Sequence, residues 1–372
     1  MAFSSNKDDI LVRAAAAMPS GISRLLSSLT GARRPLSHIQ VEVTSFCPGA
    51  CVYCPRGILG RSWKAKTMSD ATFAELAPLM QKAARVHLQG WGEPYLHPRL
   101  LDYVALARKA GCQASTTSCG LCMTEELARG TVLSGMDIVA FSLAGTDEAS
   151  NAARKNVPMD RVERAVGMLN RAKKELGRAT PRIHLSYLLL ADREEALDGL
   201  PGLMEKWDVP VCVVSTLDMP VLPSHWDWAY RPEERAKIAR ARARLERIAA
   251  AAAASGRSVR YCLPGAETGN CREDVEHSCY VDADGRLAPC IYLNAPFTAE
   301  QLAPHLAADK AAGSEAAMRL SRMHRVVEGN IQEENPVQIW EKSGYHDFRA
   351  DLAHGVTPDC CLSCPKRFEH MY

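Results

Sequence analysis

The sequence predicts an α/β protein built on a parallel β-sheet. Between residues 38 and 216, six strand patterns alternate with helical patterns. Strand–helix alternation with right-handed crossovers produces a parallel sheet, either doubly wound or curled toward a barrel. The chain has 372 residues, of which 47% are hydrophobic, enough for a sizeable core. In either type of sheet, we expect functional groups at the carboxyl ends of the strands.

Each predicted strand is short and either alternates polar with apolar residues or is almost entirely apolar. The six patterns cover residues 38–43, 85–89, 113–117, 137–143, 182–190 and 210–215. Start and stop signals mark the helices between them. Ser69 and Thr124 are typical N-caps, and Asp160 with Glu163 resembles a capping box. Gly111 is placed to end the helix over 98–110. The other helices are predicted from 69 to 84, from 124 onward, from 160 to 177 and from 194 to 206.

Outside this region the pattern changes, and the sequence predicts three further segments. Residues 1–37 are typical of a helical arm, in which Leu25, Leu26 and Leu29 have helical spacing. Residues 217–259 combine an irregular connection with a long helix from about 232 to 254. Residues 260–372 contain short strands, a hairpin and seven of the cysteines. An arm of 37 residues is too short for a typical winged-helix domain that recognises peptides.

Composition narrows the class of protein. The net charge is +2, which argues against a basic nucleic-acid sleeve or a polybasic membrane anchor. No apolar run approaches the roughly 18 residues that span a bilayer. Asp8 and Asp9 stand where a signal peptide has positive charge. We therefore expect a soluble, cytoplasmic protein that binds neither nucleic acid nor membrane. In that compartment disulfides do not explain 14 cysteines, which leaves metal binding, catalysis or chance.

Three of the cysteines form a compact motif directly after the first predicted strand. Cys47, Cys51 and Cys54 are separated by three and then two residues. Three thiolates on one tight loop can hold three corners of a [4Fe–4S] cluster and leave the fourth iron open. Structural zinc sites usually use two CxxC pairs, and no second CxxC pair lies close to this triplet in the sequence.

This motif resembles the CxxxCxxC signature of the radical S-adenosylmethionine (radical SAM) superfamily, in which an aromatic residue precedes the last cysteine; here that residue is Tyr53. Gly92-Glu93-Pro94 resembles the family's GGEP segment, which holds the methionine amino group, with Trp91 in place of the first glycine. Ser142 and Arg154 match positions that contact the ribose or the methionine carboxylate. The resemblance implies a partial (β/α)6 TIM-like barrel, a [4Fe–4S] cluster and bound S-adenosylmethionine.

The C-terminal cysteines resemble the auxiliary iron–sulfur domain called SPASM, or its shorter twitch form, a small α+β unit. On this resemblance, one auxiliary [4Fe–4S] cluster is expected on Cys271, Cys290, Cys361 and Cys364. Two replacements stay open: Cys279 for Cys271, and Cys360 for Cys361. A second auxiliary cluster also stays open, and so does a zinc ribbon, because a CxxC with a hairpin cysteine is typical of zinc sites too.

The resemblance implies reductive cleavage of S-adenosylmethionine and hydrogen abstraction from a substrate by the 5′-deoxyadenosyl radical. Relatives of this layout often modify peptides or proteins, so we expect a maturase-like oxidoreductase served by a flavodoxin- or ferredoxin-type electron donor. Two alternatives stay open: a dehydrogenase of a small molecule, and a non-enzymatic zinc-binding interaction protein. The sequence assigns no residue to chemistry on the substrate.

Several conspicuous side chains are expected to have structural roles only. Cys119 and Cys122 form a CxxC after the third strand, but two buried thiols are the simpler interpretation. His184 and Tyr187 lie on the fifth strand, where packing is expected for both. Trp226 and Trp228 are expected to pack, with one of the two a candidate for lining a substrate cleft.

Overall fold

The computed structural model describes residues 34–267, 271–309, 325–362 and 364–372. The first 33 residues of the predicted helical arm, including its three leucines, lie outside the described residues. Within the described ranges, no helix combines the length and apolarity needed to cross a bilayer.

The described strands form one sheet in the order β10-β9-β8-β1-β2-β3-β4-β5-β6-β7-β11. Strands β1 to β7 follow each other in parallel, as the alternation of strands and helices predicts. All six predicted strands are confirmed to within two residues at each end. The eleven strands are β1 His38–Val41, β2 Arg85–Leu88, β3 Gln113–Ser118, β4 Ile138–Leu143, β5 Arg182–Leu189, β6 Val211–Thr216, β7 Ser258–Pro264, β8 Ser278–Val281, β9 Arg286–Ala288, β10 Gly329–Asn330 and β11 Glu369–Met371.

The α-helices lie between these strands and after the hairpin. They are α1 Pro55–Leu59, α2 Asp70–Ala74, α3 Ala77–Lys82, α4 Leu100–Lys109, α5 Glu125–Leu133, α6 Met159–Glu175, α7 Leu200–Lys206, α8 Arg235–Ala254, α9 Ala299–Ala308, α10 Pro336–Glu341 and α11 Ser343–Ala353. The predicted N-caps are confirmed, since the Ser69 and Thr124 side chains accept from the backbone of Thr72 and Leu127. Gly111 has φ 85° directly after α4, as a C′ glycine requires.

The predicted capping box at Asp160 and Glu163 is wrong. Helix α6 begins one residue earlier, at Met159, and its N-cap Pro158 makes no side-chain cap bond. A carboxylate from outside the helix replaces the cap, because the Met159 N–H donates to Glu148 Oε2 at 2.8 Å. Asp160 instead forms an ion pair with Arg164 one turn along the helix.

Two predicted helices are divided. The pattern from 69 to 84 becomes α2 and α3, with Pro78 in the first turn of α3. The pattern from 194 to 206 becomes a 3-10 segment over Ala191–Gly199 followed by α7, which has Pro201 in its first turn. A proline lacks the N–H that would continue a preceding helix and disfavours helical geometry in the residue before it. Both interruptions therefore lie just before a proline.

Each parallel strand has one face buried under helices and one face turned toward the lumen of the partial barrel. On β5, Tyr187 is buried under the helices whereas His184 is on the half-buried lumen face. Phe141 on β4 and Val214 on β6 also lie on the helix side and are fully buried. Burial of each such side chain stabilises the fold by roughly 1.5–3 kcal/mol. The polar side chains of these strands therefore lie on the lumen face.

The sheet does not end where the strand–helix alternation ends. Strand β7 adds to β6, and β11 adds antiparallel to β7. On the other edge, β8 pairs in parallel with β1, with Ile39 opposite Cys279 and Val41 opposite Val281. The predicted hairpin is confirmed as β8 and β9. The C-terminal cysteine region is thus joined by backbone hydrogen bonds to the first strand of the barrel.

Candidate functional site

The first cysteine loop follows β1 and is held against the segment before α6. Ala50 N donates to Lys155 O at 2.8 Å, and Val52 N donates to Ala153 O at 2.9 Å. Cys54 is the N-cap residue of α1, whose first helical residue is Pro55. These contacts fix the three cysteines of the triplet on a single ordered turn at the carboxyl end of the sheet.

The triplet opens into a cavity of about 820 Å³ that extends into the lumen. The structure brings nearly all of the residues expected to bind S-adenosylmethionine to the wall of this cavity: Cys47, Cys51, Cys54, Tyr53, Gly92, Glu93, Ser142 and Arg154. Pro94 lies behind the wall, buried in the short 3-10 turn over Pro94–Leu96.

Gly92 touches the backbone of the cysteine loop. A Cβ atom at this position would lie 2.3 Å from Thr44 O and 2.5 Å from Phe46 O, so only glycine fits. The next N–H, of Glu93, donates to Phe46 O at 2.7 Å. Trp91 stands where the resemblance has a glycine. Its backbone N–H donates to Glu42 Oε2 at 2.7 Å.

Glu93 connects this loop to the end of β3. Its buried carboxylate accepts from Ser118 Oγ at 2.9 Å and from Cys119 N at 2.6 Å. Hydrogen bonds to a buried carboxylate are among the stronger ones in proteins. Glu93 therefore positions two loops of the cavity.

Arg154 supplies a buried positive charge. Its Nη1 donates to Tyr53 Oη at 3.4 Å, whereas its Nε is buried and has no partner among the described residues. A buried guanidinium nitrogen without an acceptor is costly, so it fits an anionic group in the cavity. The methionine carboxylate of S-adenosylmethionine is such a group. Three thiols on one loop and this unpartnered nitrogen together fit a cluster with bound S-adenosylmethionine.

The sequence placed Cys119 at the carboxyl end of the third strand, facing the proposed site, but gave no indication that its thiol contacts Cys47. The structure places this buried thiol on the cavity wall, hydrogen-bonded to the Cys47 thiol, an interaction that lowers the pKa of Cys47 to about 7. Burial, in contrast, raises the pKa of Cys54 to about 11. The position of Cys119 at the carboxyl end of β3 was the available signal. Cys122 lies three residues further on, half-buried against the core.

The C-terminal cysteines surround a second, closed pocket with a free volume of about 20 Å³. Five thiols line it: Cys271, Cys290, Cys360, Cys361 and Cys364. Cys360 and Cys361 lie with their Sγ atoms 3.9 Å apart. Cys279 is not among the described lining residues; it is buried on β8 within the main core. Placement therefore favours Cys271 over Cys279 and leaves Cys360 and Cys361 both beside the pocket.

In the parts of the chain that the structure describes, no three Cys, His, Asp or Glu side chains are close enough to hold one ion. In an iron–sulfur cluster each thiolate binds its own iron, so the thiols stand farther apart. Ligand thiols must lose their protons, and burial raises the pKa of Cys271 to about 11 and that of Cys364 to about 12.

A buried charge cluster separates the two cavities. Lys366 Nζ lies 2.7 Å from Asp218 Oδ2, 3.1 Å from Glu369 Oε2 and 3.6 Å from Glu273 Oε1. Tyr292 Oη donates to Asp218 Oδ2 at 3.2 Å. Glu273 and Tyr292 line both the lumen cavity and the thiol pocket. Sequence reasoning missed this cluster, although Asp218 follows the carboxyl end of β6 by two residues.

Comparisons with known proteins agree with this geometry. Residues 41–198 match the family model of the radical SAM superfamily, and residues 271–365 match the SPASM model, an iron–sulfur cluster-binding domain. A "tungsten-containing aldehyde ferredoxin oxidoreductase cofactor-modifying protein" of Pyrococcus furiosus is 24% identical over 201 residues, 50% of this chain and 53% of that protein. A PqqA peptide cyclase of Streptomyces rochei is 29% identical over 120 residues, 30% of this chain and 31% of that protein.

Solved structures show the same fold. SuiB of Streptococcus suis bound to S-adenosylmethionine has a TM-score of 0.59 at 11% identity, covering 88% of this chain and 70% of that one. SuiB bound to the precursor peptide SuiA has a TM-score of 0.57, also at 11% identity, covering 88% and 69%. The two sequence relatives, in contrast, are matched over only about half and about a third of their own lengths.

The predicted cofactors follow from these matches. The radical SAM domain implies a [4Fe–4S] cluster and S-adenosylmethionine, and the SPASM domain implies auxiliary iron–sulfur ligation. The α/β sheet, the cysteine loop after β1 and the C-terminal thiol pocket occupy the corresponding parts of the chain. The chain belongs to the radical SAM superfamily and carries a C-terminal SPASM domain.

Proposed function

We propose that this protein is a maturase-like oxidoreductase that modifies a peptide or protein substrate and uses an auxiliary [4Fe–4S] cluster on Cys271, Cys290, Cys361 and Cys364. One observation carries the proposal: the lumen cavity and the thiol pocket share Glu273 and Tyr292 as wall residues. A substrate in the lumen would lie between the two cysteine sets. An electron left on it would have a short path to the auxiliary cluster.

In this proposal the chain's own residues bind and orient. Cys47, Cys51 and Cys54 hold the first cluster, and when bound, that cluster and S-adenosylmethionine supply the radical that abstracts hydrogen. The Gly92 region offers backbone groups to the methionine amino group, Arg154 pairs with its carboxylate, and Ser142 contacts the ribose. Tyr53 positions Arg154, because its hydroxyl oxygen accepts a hydrogen bond from Arg154 Nη1 at 3.4 Å.

A cleft of about 1060 Å³ next to the lumen is an argument for a peptide substrate. It shares Leu217 with the lumen cavity and runs between α8 and the turn after the last cysteine. Trp226, Tyr230 and Phe368 line it, giving the apolar and aromatic surface that peptide-binding clefts use. The relatives named a peptide cyclase and seen with a precursor peptide support the same class of substrate.

Oxidation of a small polar molecule is the second candidate, because one wall of the lumen carries a hydrogen-bonded group of polar side chains. His87 Nδ1 lies 2.8 Å from Ser115 Oγ, and its Nε2 lies 3.1 Å from Gln89 Oε1. Gln40 Nε2 donates to Gln89 O at 3.0 Å. Such a network suits a polar substrate group, whether it belongs to a peptide or to a free small molecule.

Anaerobic reconstitution tests the proposal. We expect about eight irons per chain if two [4Fe–4S] clusters form. With a reduced flavodoxin or ferredoxin as the electron donor, 5′-deoxyadenosine should form. Zinc without iron, together with no cleavage, would instead identify a zinc-binding interaction protein.

Cysteine variants separate the two clusters. Cys47→Ala should lose 5′-deoxyadenosine formation. Cys290→Ala should keep it, lose about four irons and yield no modified substrate. Cys212→Ala, which changes a buried thiol on β6, is the matched control and should retain both clusters. Full product from Cys290→Ala would contradict an essential auxiliary cluster.

A further inference from the structure

A separate chamber lies beside the lumen, above the carboxyl end of β1. Its volume is about 490 Å³, and its walls are the β8–β9 turn, the segment before α2 and the turn before α9. Met219 and Tyr292 line both this chamber and the lumen cavity. A group of a substrate that enters the lumen can therefore extend into the chamber.

The described lining of the chamber carries more positive than negative charge. Its cationic side chains are Lys64, Lys66, Arg286 and Arg325, and its carboxyl groups are Glu42, Asp282 and Asp284. Three of the four cations are held in place by the turn carboxylates. Arg286 lies 2.8 Å from Asp284 and 3.5 Å from Asp282, Arg325 lies 3.1 Å from Asp282, and Lys66 pairs with Asp284. The turn carboxylates thus fix three cationic side chains at the chamber wall, and Lys64 adds a fourth positive charge on its exposed rim.

Glu42 adds little negative charge to offset these cations. Its side chain is 3% exposed and is enclosed by Gly90, Trp91 and the hairpin. Burial raises the pKa of its carboxyl group to about 7 despite the hydrogen bond from the Trp91 N–H. Near neutral pH a large fraction of Glu42 is therefore protonated and able to donate a hydrogen bond.

We propose that this chamber is a subsite for a carboxylate of the substrate, held by the cations of the chamber and by the Glu42 side chain. The inference rests on the proposed function, because it gives that substrate an acidic group. Charge-assisted hydrogen bonds to a carboxylate are shorter and stronger than neutral ones. Glu42 follows β1 and also contacts the turn that leads into Gly92, so an occupied chamber would place the substrate beside the S-adenosylmethionine site.

The chamber predicts a pH dependence with a definite sign. The charged and titratable groups that act on Glu42 are Asp282 and Tyr280, from β8 and its turn. The four cations line the same chamber. As the pH rises through about 7, Glu42 ionises and repels a bound carboxylate. Carboxylate binding should therefore weaken between about pH 6 and pH 8, and Glu42→Gln should remove most of that dependence.

Calorimetry on the anaerobic, reconstituted full chain tests the subsite with small peptides. The probes are acetyl-Ala-Glu-Ala-amide, its Gln and Lys counterparts, and acetyl-Ala-Gln-Ala with a free C-terminal carboxylate. We expect at least tenfold tighter binding of the Glu peptide, or of the free acid, than of the neutral Gln amide. The stronger of the two acids identifies a side chain or a chain terminus as the source. Equal binding of the neutral peptide, or a preference for Lys, would overturn the proposal.

A charge reversal locates the effect. Lys64→Glu, on the exposed rim of the chamber, should reduce carboxylate binding at least tenfold without lowering the thermal midpoint. Lys174→Glu on the exposed face of α6 is the matched control and should bind as the unmodified protein does. If Lys64→Glu binds normally, the chamber is not the site. If the unmodified protein cleaves S-adenosylmethionine but shows no selective carboxylate binding, this inference alone is refuted, whereas absence of cleavage in the unmodified protein refutes the proposed function.

Discussion

Replacing Gly92 with alanine tests whether the loop after β2 presses on the cysteine loop as the structure indicates. The new Cβ would lie 2.3 Å from Thr44 O, 2.5 Å from Phe46 O and 2.8 Å from Ser45 C. All three atoms are backbone, so no side-chain rotation relieves the contact. Moving from 2.3 Å to a tolerable 3.0 Å requires a backbone shift of about 0.7 Å.

The cost of this shift follows from two terms. Overpacking against a rigid neighbour costs typically about 1–3 kcal/mol, and a backbone neighbour belongs at the upper end. The shift also stretches the 2.7 Å hydrogen bond from Glu93 N to Phe46 O, worth about 1 kcal/mol. We therefore expect Gly92→Ala to lower the free energy of unfolding by about 3–4 kcal/mol.

Urea unfolding of the cluster-free protein measures this loss, and S-adenosylmethionine binding to the reconstituted protein measures its effect on the site. The matched control is Gly202→Ala in α7, where a Cβ would meet no atom within 4 Å. That substitution should stabilise the helix by about 0.5–1 kcal/mol. An unfolding midpoint for Gly92→Ala equal to that of the unmodified protein would refute the close approach of the two loops.

Three further substitutions test buried charges. Arg154→Met should weaken S-adenosylmethionine binding by ten- to a hundredfold at unchanged iron content, measured by equilibrium binding; unchanged affinity would remove Arg154 from the site. Lys366→Met should destabilise the protein by about 3–5 kcal/mol, because Asp218 and Glu369 lose the cation that pairs with both carboxylates. Adding Asp218→Asn should recover part of the loss in urea unfolding. His87 is half-buried on the wall of the lumen cavity, and burial lowers its pKa to about 4. The unfolded chain therefore takes up the proton first, and stability should fall as the pH drops from about 6.5 to 4. His87→Gln should flatten that part of the stability profile by up to about 3 kcal/mol, and an unchanged profile would contradict a neutral His87.

The parts of the fold that depend on local patterns could be predicted from the sequence. The alternation in β5 and the apolar run in β4 determine which face is buried, and both strands were predicted. The start of α6 could not be predicted, because the N–H of its first residue donates to Glu148, eleven residues away. The parallel pairing of β8 with β1 joins segments about 240 residues apart, and no local signal specifies that register.

The candidate site divides in the same way. The cysteine triplet is a contiguous motif, so spacing alone indicated a cluster loop. The strand order also placed Cys119 at the site, but its contact with Cys47 and the place of Asp218 in the lumen come only from the fold. Lys366 has no pattern of its own, because a lysine after a CxxC is ordinary. Its role depends on Glu369, three residues along, and on Asp218 and Glu273 from distant segments.

The pairing of β8 with β1 also determines how the two cysteine sets are placed. Because β1 and β8 are parallel, the triplet loop after β1 and the Asp282 turn after β8 both leave the sheet at the carboxyl end of the strands. Strand β9 then runs antiparallel to β8, which returns the chain toward the other end of the strands before Cys290. The two sets are thus offset along the lumen by about the length of a short strand, roughly 10 Å. Backbone hydrogen bonds fix this offset, so the lumen lies between the two cysteine sets, the arrangement on which the proposed function depends.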